Sequence, residues 1–248
     1  DVLYIVGRNS KKNNIELRYS LRSMAKSAVG IERLVVAGYP PDWLSRDVER
    51  IKVEDLPLPG KNRSIVNCVL RGIERSAIQG DFLLGIDDVF MTGAGDLSGY
   101  PWFFKSPELP GSVPKGCPNV AFWQMMCETG DFLRRKGLTS VNFQTHAHMR
   151  MNANDILDNR QLLEESIHAT TRGLEILSLT GNIRLSRTPS MALTQRKDVK
   201  MGDKFDVSTA KMAAPYSQFS VSDRTWQDGN LEKWLSRTFP EPCRYENR

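Results

Sequence analysis

Residues 80–91 read GDFLLGIDDVFM, an apolar run that ends in two adjacent carboxylates, Asp87 and Asp88, and then becomes apolar again. Such a run predicts a buried strand with an acidic end. Neighbouring carboxylates repel unless they are solvated, share a proton or bind a metal, and hard divalent cations with oxygen ligands often hold such a pair. The alternative is a strand that runs into an Asp-rich turn. The stretch therefore predicts a strand end, and a cation site is one of two interpretations.

The residues before this strand alternate between apolar runs and helical periodicity. Strands are predicted at 2–6, 32–38 and 51–53, and amphipathic helices at 15–28 and 62–79. The resulting order β-α-β-β-α-β favours an α/β fold with a mostly parallel sheet covered by helices on both faces. Ligands of such sheets bind at the carboxyl ends of the strands, and the acidic pair follows one such end.

The residues after the acidic strand are less regular. Residues 92–118 are rich in Gly and Pro and too long for an ordinary connection, so they predict a functional loop or lid. A short strand is predicted at 140–148 and one long helix at 155–179, and the tail 182–205 is rich in Arg and Lys.

Composition describes a globular chain. Its 248 residues are 40% hydrophobic, which is enough for a single domain with a real core, and 34 basic against 29 acidic residues leave a net charge of +5. Polyanionic partners such as nucleic acid, nucleotide phosphates or acidic glycans fit this charge. The four cysteines have no metal-ligand spacing, so unpaired thiols are expected. No membrane span or signal peptide is recognised, which predicts a cytoplasmic protein, or one of the host cytoplasm if the source is viral.

Several blocks of the sequence resemble the Stealth family, in order along the chain. These blocks are residues 16–23 (ELRYSLRS), 35–44 (VVAGYPPDWL), 86–90 (IDDVF), 146–149 (HAHM), 219–223 (FSVSD) and 239–246 (FPEPCRYE). The Stealth family comprises sugar-phosphate transferases of capsule synthesis and lysosomal tagging, and the last block resembles the ending of its small glycosyltransferase-like relatives. The first family block normally carries a tryptophan and a second acid, which residues 1–8 lack.

The resemblance implies a nucleotide-sugar fold of the GT-A type, with a donor half at 1–91 and an acceptor half with C-terminal helices at 92–248. The departure in the first block favours plain glycosyl transfer from a nucleotide diphosphate sugar, expected to be a UDP-sugar, with Mn²⁺ or Mg²⁺ as cofactor. Sugar-1-phosphate transfer to a glycan is the alternative.

The acceptor class stays open. A hydroxymethylated pyrimidine in viral DNA is one candidate acceptor, because the chain is basic and carries a row of cations. These cations are Arg184, Arg187, Arg196, Lys197, Lys200 and Lys204. A non-catalytic nucleic-acid-binding domain that kept the fold is a further alternative.

The resemblance also suggests catalytic roles. Asp88 is expected to be the principal metal ligand, and Asp87 to share the metal or bind the ribose. His146 and His148 are two residues apart and would share a face of a strand, where one could complete the metal shell or act as a base. A simple hydrogen-bonded histidine pair is the alternative. Asp223 is expected to be a general base or a further acidic ligand, unless it only forms a turn.

A second set of residues would contact the base and phosphates of the donor, because they follow the first strand, lie along the first helix or open the second helix. They are Gly7, Arg8, Asn9, Arg18, Arg22, Lys61, Asn62 and Arg63. Surface solvation, an ordinary helix start, or pairing of the helix arginines with acids such as Glu16 are the alternatives. Among the five tryptophans, most are expected to pack in the core and one or more could stack on a base or sugar.

Overall fold

A computed structural model describes residues 1–8, 12–197, 199–210 and 214–247. Eight α-helices lie within these ranges: α1 (Ile15–Ser27), α2 (Lys61–Ser76), α3 (Val120–Arg135), α4 (Ala153–Asp158), α5 (Arg160–His168), α6 (Ile176–Arg187), α7 (Val207–Ala210) and α8 (Asn230–Thr238). No helix in the described ranges has the length and apolar content needed to cross a membrane.

The strands alternate with these helices in the first third of the chain and are scattered later. They are β1 (Val2–Val6), β2 (Ala28–Val29), β3 (Leu34–Gly38), β4 (Val48–Lys52), β5 (Asp81–Gly85), β6 (Val89–Met91), β7 (Gly95–Asp96), β8 (Trp102–Phe104), β9 (Met149–Asn152), β10 (Leu193–Gln195), β11 (Lys200–Met201) and β12 (Gln218–Val221). The predicted order β-α-β-β-α-β is confirmed, and the described residues add the short β2 and a 3-10 helix at Lys12–Asn14.

Five strands form the main sheet in the order β4, β3, β1, β5, β9. The first four are parallel, with Val6 opposite Gly38 and Tyr4 opposite Gly85, whereas β9 is antiparallel to β5 with Leu84 opposite Met149. The carboxyl ends of the four parallel strands and the residues just before β9 therefore lie along one edge of the sheet, here called the carboxyl edge.

Helices cover both faces of this sheet, as predicted. Successive side chains of a strand point to opposite faces, and neighbouring apolar residues of β1 pack in two different clusters. On one face Leu3 of β1 belongs to the same buried cluster as Val69 of α2. On the other face Tyr4 belongs to a cluster with Leu17 of α1. The mixed α/β class is therefore confirmed.

A smaller sheet in the order β11, β12, β6 continues the chain beyond the acidic pair. β12 is antiparallel to β6, and the rings of Phe90 and Phe219 lie 5.3 Å apart in its core. Leu231 and Leu235 of α8 pack in the same cluster. This sheet attaches the C-terminal part of the chain to the strand that follows Asp88.

Two glycines are required where the main sheet meets its neighbours. Gly38 has φ 105°, and a Cβ there would lie 2.2 Å from the carbonyl oxygen of Val6. A Cβ on Gly85 would lie 2.4 Å from the ring of Tyr4, so the ring packs directly on the backbone of β5, two residues before Asp87.

Two element predictions in the second half are wrong. Residues 140–148 form no strand beyond a single bridge at Asn142, and β9 begins only at Met149. The predicted helix 155–179 is three helices, α4 to α6, separated by Asn159 and by residues 169–175. Its apolar positions still face inward, since Leu163 and Leu174 are fully buried.

The predicted loop at 92–118 contains two short strands, β7 and β8, and a 3-10 helix at Leu97–Gly99, and its longest stretch without helix or strand is 105–119. Residues 111–116, within this stretch, are exposed. The basic tail begins inside α6, which continues to Arg187. A lid role for residues 105–119 stays a prediction.

Candidate active site at the end of strand β5

Asp87 and Asp88 form a turn at the carboxyl edge, between β5 and β6. The turn is closed by the N–H of Val89, which donates to the carbonyl of Ile86 at 3.2 Å. The N–H of Val221 donates to the carbonyl of Asp88 at 3.1 Å and joins the turn to β12. Both residues are half-buried. The predicted position of the acidic pair at a strand end is confirmed.

The backbone of this turn is fixed from the α1 face of the sheet. The hydroxyl of Ser20 donates to the carbonyl of Val89 at 2.6 Å and lies 3.2 Å from that of Ile86. The hydroxyl of Tyr4 lies 2.9 Å from the Ser20 oxygen. Tyr4 and Ser20 are fully buried, and the carbonyls on either side of the acidic pair have hydrogen-bond partners. The backbone that carries the two carboxylates is therefore fixed.

The two acids of the turn have raised pKa values. Burial disfavours the charged form of Asp88 and the neighbouring Asp87 adds a second negative charge, which together raise the pKa of Asp88 to about 7. Burial likewise raises the pKa of Asp87, while the cation of Lys61 acts in the opposite direction. The turn is thus a place where added positive charge would be stabilising.

Glu16, in the first turn of α1, belongs to the same group of charges and was not among the predicted site residues. Burial raises its pKa to about 7, and the charges of Asp87, Asp88 and Asp223 act in the same direction. The topology explains why Glu16 lies near the acidic pair. Helix α1 follows β1, and β1 is the neighbour of β5, so the first turn of α1 begins at the carboxyl edge.

We expect the stability advantage of Asp88→Asn over the wild type, without added metal, to grow between about pH 4 and pH 7. An unfolded aspartate titrates near 4, whereas Asp88 titrates at about 7 in the fold, so in this window the folded wild type retains a proton that the unfolded chain has released. Its stability therefore falls as the pH rises. The difference should reach roughly 1–2 kcal/mol, because one pKa unit is worth about 1.4 kcal/mol and solvent at the turn weakens the effect.

Urea unfolding in EDTA at about pH 4.5 and about pH 7.5 measures this difference. A gap between the two proteins that is constant with pH would show that the raised pKa of Asp88 is not present in the fold.

His148 is a buried neighbour of the turn. The N–H of Ile86 donates to its Nδ1 at 3.1 Å, which leaves the proton on Nε2, and burial together with the charge of Arg196 lowers its pKa to about 3. Nε2 has no hydrogen-bond partner among the described residues. The ring therefore supports the residue before Asp87 as a neutral group, and its predicted role as a metal ligand stays a prediction that this geometry does not favour.

His146 does not share a strand face with His148, because it lies in a bend with φ 47°. Its Nδ1 lies 3.3 Å from Nε2 of Gln144, and its ring stacks on Phe122 of α3 with centroids 6.5 Å apart. The argument from residue spacing is therefore wrong for the pair, and a catalytic role for His146 stays a prediction.

Asp223 lies in the turn after β12, and it is exposed. Its charge acts on both Asp87 and Glu16, which puts it near the acidic turn although 135 positions separate it from Asp88 in the sequence. Its predicted position beside the pair is therefore supported, and its role as a base stays a prediction.

Arg8 follows β1 and lies at the carboxyl edge, on the side of the acidic turn that is away from β9. Its guanidinium donates to the hydroxyl of Tyr39 at 2.8 Å and to Glu54 at 3.2 Å, and all three side chains follow the ends of neighbouring strands. Gly7 precedes it, and a Cβ at this position would meet no other atom within 4 Å. Asn9 lies outside the described residues. We call the three linked side chains, Arg8, Tyr39 and Glu54, the polar shelf.

The three residues that open α2 have different surroundings. Lys61 is exposed and its charge acts on Asp87, Asp88 and Glu16. Asn62 instead donates from Nδ2 to the sulfur of Met125. The third, Arg63, is 8% exposed and binds the carbonyl of Thr170. Lys61 is therefore the member of this group whose charge acts on the acidic turn, whereas Asn62 and Arg63 are engaged with Met125 and Thr170.

Arg18 and Arg22 bind the segment 239–246. Arg22 donates from Nε and Nη2 to the carboxylate of Glu246 at 2.6 and 2.9 Å, and Arg18 donates to the same carboxylate at 3.0 Å. The alternative pairing with Glu16 is not what the structure shows, since both arginines pair with Glu246. Their contacts to the donor stay a prediction that this geometry does not favour. Two of the sequence blocks, at 16–23 and 239–246, instead pack against each other.

A cleft of about 830 Å³ lies between the C-terminal half of α1 and residues 238–245. Its cations already have partners, since Lys26 donates to the carbonyl of Thr238 and Arg244 to that of Ile31. Asp87, Asp88 and Glu16 do not line this cleft. The acidic turn is therefore separate from this cleft and lies at the carboxyl edge.

The acidic turn offers only oxygen ligands, which suits Mg²⁺ or Mn²⁺ rather than a softer ion. Within the described ranges no three His, Cys, Asp or Glu side chains come together as a preformed metal cage. Mg²⁺ commonly binds through one or two carboxylates and completes its shell with substrate phosphates and water. Asp87 and Asp88 fit that kind of site and not an all-protein cage.

The chain matches no protein-family model, and no curated protein matches it. Function is therefore inferred from the residues and their geometry.

Proposed function

We propose that this protein is a metal-dependent glycosyltransferase of GT-A type, which moves a sugar from a nucleotide diphosphate sugar to an acceptor hydroxyl. The observation that carries the proposal is the acidic turn at the end of a central parallel strand, with the raised pKa of Asp88 and the cation of Lys61 beside it. Carboxylates and a lysine at the carboxyl edge suit a diphosphate bridged by a divalent cation.

In this proposal Asp88 and Asp87 hold Mn²⁺ or Mg²⁺, which would neutralise the charge that builds on the leaving diphosphate. Lys61 binds the diphosphate from the start of α2. The acceptor oxygen bonds to the anomeric carbon as the bond from that carbon to the diphosphate breaks, and Asp223 takes the proton of the hydroxyl. The polar shelf binds the nucleoside part of the donor, for which UDP is our first choice.

A nucleic-acid acceptor or a silent nucleic-acid-binding role has less support. Arg184 and Arg187 both pair with Asp155, at 3.1 and 3.2 Å, and Arg196 donates to the carbonyls of Tyr216 and Gln218. Three of the six cations that suggested DNA binding are thus engaged within the fold, so we favour a glycan acceptor.

The test is turnover of a panel of nucleotide sugars with glycan acceptors and with hydroxymethylated DNA, in Mn²⁺ and in EDTA. We expect metal-dependent release of a nucleoside diphosphate in the presence of a glycan. Release of a nucleoside monophosphate would contradict glycosyl transfer and indicate sugar-1-phosphate transfer. Turnover on DNA alone would contradict the glycan acceptor, and equal turnover in EDTA would contradict the metal site.

A further inference from the structure

Two aromatic residues open α3 on the surface of the protein. Phe122 and Trp123 are partly exposed, and their rings meet edge to face with centroids 5.7 Å apart. Phe122 also stacks on His146, whose ring is oriented by Gln144. We call Phe122, Trp123 and His146 the aromatic shelf.

Trp123 differs from the other four tryptophans, which have structural roles. Trp43 donates to the carbonyl of Asn13 and lies under the guanidinium of Arg18, at 4.3 Å. The others are Trp102, which is buried, and Trp226 and Trp234, which pack in the core of the smaller sheet. Among the described contacts, the ring of Trp123 meets only that of Phe122.

The topology brings this shelf to the acidic turn. Because β9 is antiparallel to β5, the residues just before Met149 lie at the carboxyl edge next to Asp87. His146 is one of these residues, and His148 binds the backbone of Ile86 directly. The contact between Asn62 and Met125 holds the second turn of α3 against the start of α2. The aromatic shelf therefore borders the acidic turn on the β9 side.

The polar shelf lies on the opposite side, at the ends of β1, β3 and β4. The two shelves differ in chemistry: one offers a guanidinium and a carboxylate, the other offers aromatic faces. A transferase binds its donor and its acceptor side by side at the reacting bond, so each shelf can serve one substrate. The aromatic side is suited to a sugar ring, since aromatic faces pack on flat apolar surfaces that carry polar groups at their rims.

We propose that the aromatic shelf is the acceptor subsite and that Trp123 stacks on a sugar ring of a glycan acceptor. This inference rests on the proposed glycosyl transfer and adds the acceptor class and the residue that selects it. Trp123 is a specificity residue here and takes no part in bond making. Residues 105–119, which end directly before α3, border the same shelf along the chain.

The first experiment needs no turnover. Tryptophan fluorescence of the full chain is titrated with maltotetraose, cellotetraose and chitotetraose, and with an oligothymidylate as the nucleic-acid probe. We expect at least one oligosaccharide to change the emission of the wild type, and the change to disappear in Trp123→Ala but to persist in Trp43→Phe, the control. Binding of the oligothymidylate alone, or of no oligosaccharide, would overturn the proposal.

The second experiment separates this inference from the proposed function. In the transfer assay, Trp123→Ala should raise the acceptor KM about tenfold and leave the donor KM and kcat within about threefold, with Trp123→Phe close to wild type. A tenfold change corresponds to about 1.4 kcal/mol, within reach of aromatic stacking. A raised donor KM with unchanged acceptor KM would overturn the acceptor subsite and leave glycosyl transfer standing. Failure of the wild type to bind any nucleotide with Mn²⁺ would instead remove the proposed function.

Discussion

Replacing Asp88 with asparagine is expected to lower metal-dependent turnover by about 10³-fold while the protein becomes more stable near neutral pH. Loss of one preorganised electrostatic contact to the reacting group commonly costs about 10²–10³-fold. The asparagine keeps the shape but would remove a charged oxygen ligand of the proposed metal site, which places the expected loss at the upper end of this range. The gain in stability follows from removing a carboxylate whose pKa is raised to about 7 by burial and by Asp87.

The two opposite effects distinguish loss of the site from loss of the fold, because an inactive variant that had merely unfolded would also lose stability. Steady-state turnover and thermal unfolding are measured on the same preparation, with and without Mn²⁺. Added Mn²⁺ should stabilise the wild type and leave the variant unchanged, as linkage requires for a ligand that binds only the intact site.

Asp81→Asn is the matched control. Asp81 begins the same strand at its other end and pairs with Arg150 on the surface at 2.6 Å. Its loss should change turnover by less than about twofold and stability by less than about 1 kcal/mol. Unchanged metal-dependent turnover in Asp88→Asn would remove the central assignment.

The first third of the fold was predictable from sequence because its signals are local. Residues 2–6 and 32–38 are short apolar runs, and the helix between them repeats its apolar positions every three to four residues. A strand buried on both faces and an amphipathic helix each leave such a pattern. The order of strands and helices then limits the topology to few choices.

The predictions for the second half of the chain were wrong where the local hydrophobic periodicity did not reveal the ends of helices. The apolar positions from 155 to 179 keep a helical repeat, but Gly173 has φ 79° and Glu175 caps a new helix by accepting from the N–H groups of Leu177 and Ser178. Cap residues and left-handed glycines interrupt a helix without changing the hydrophobic pattern. The prediction that His146 and His148 share a face was wrong for a similar reason, because it assumed that both residues lie in a strand.

The candidate site was predicted only in part. The acidic pair has a strong local pattern, whereas Glu16 resembles any acid in the first turn of a helix and is explained equally well by the helix dipole. Its nearness to Asp87 depends on the pairing of β1 with β5, which no local rule supplies. The same holds for Arg22, whose partner lies 224 residues away.

The ion pair of that arginine gives the largest expected effect on stability. Arg22→Met is expected to lower the free energy of unfolding by about 3–5 kcal/mol, the usual loss when one partner of a buried pair is removed. The side chain of Glu246 is 0% exposed and that of Arg22 only 11%. The substitution leaves a buried carboxylate whose remaining partners are the partly exposed Arg18 and the N–H of Cys243. Methionine keeps the aliphatic volume, which separates the loss of charge from the loss of packing.

Urea unfolding of Arg22→Met, Glu246→Gln and the double variant completes a double-mutant cycle. The double variant should recover part of the loss, because it removes the buried charge together with its partner. Arg134→Ala is the control, since its exposed pair with Asp131 should contribute no more than about 0.5 kcal/mol. Strictly additive single losses would contradict a coupled buried pair.

The pH dependence of this pair has the opposite sign to that of the acidic turn. Burial alone would raise the pKa of Glu246, but the hydrogen bonds from Arg22 and the N–H of Cys243 outweigh it and lower the pKa below that of an unfolded glutamate. Its stabilisation is therefore present above about pH 4.5 and is lost as the pH falls below it. The loss caused by Arg22→Met should shrink on acidification through this range, whereas the gain from Asp88→Asn grows above it. One helix, α1, contributes to both effects, because it carries Glu16 beside the acidic turn at one end and Arg22 against the chain terminus two turns later.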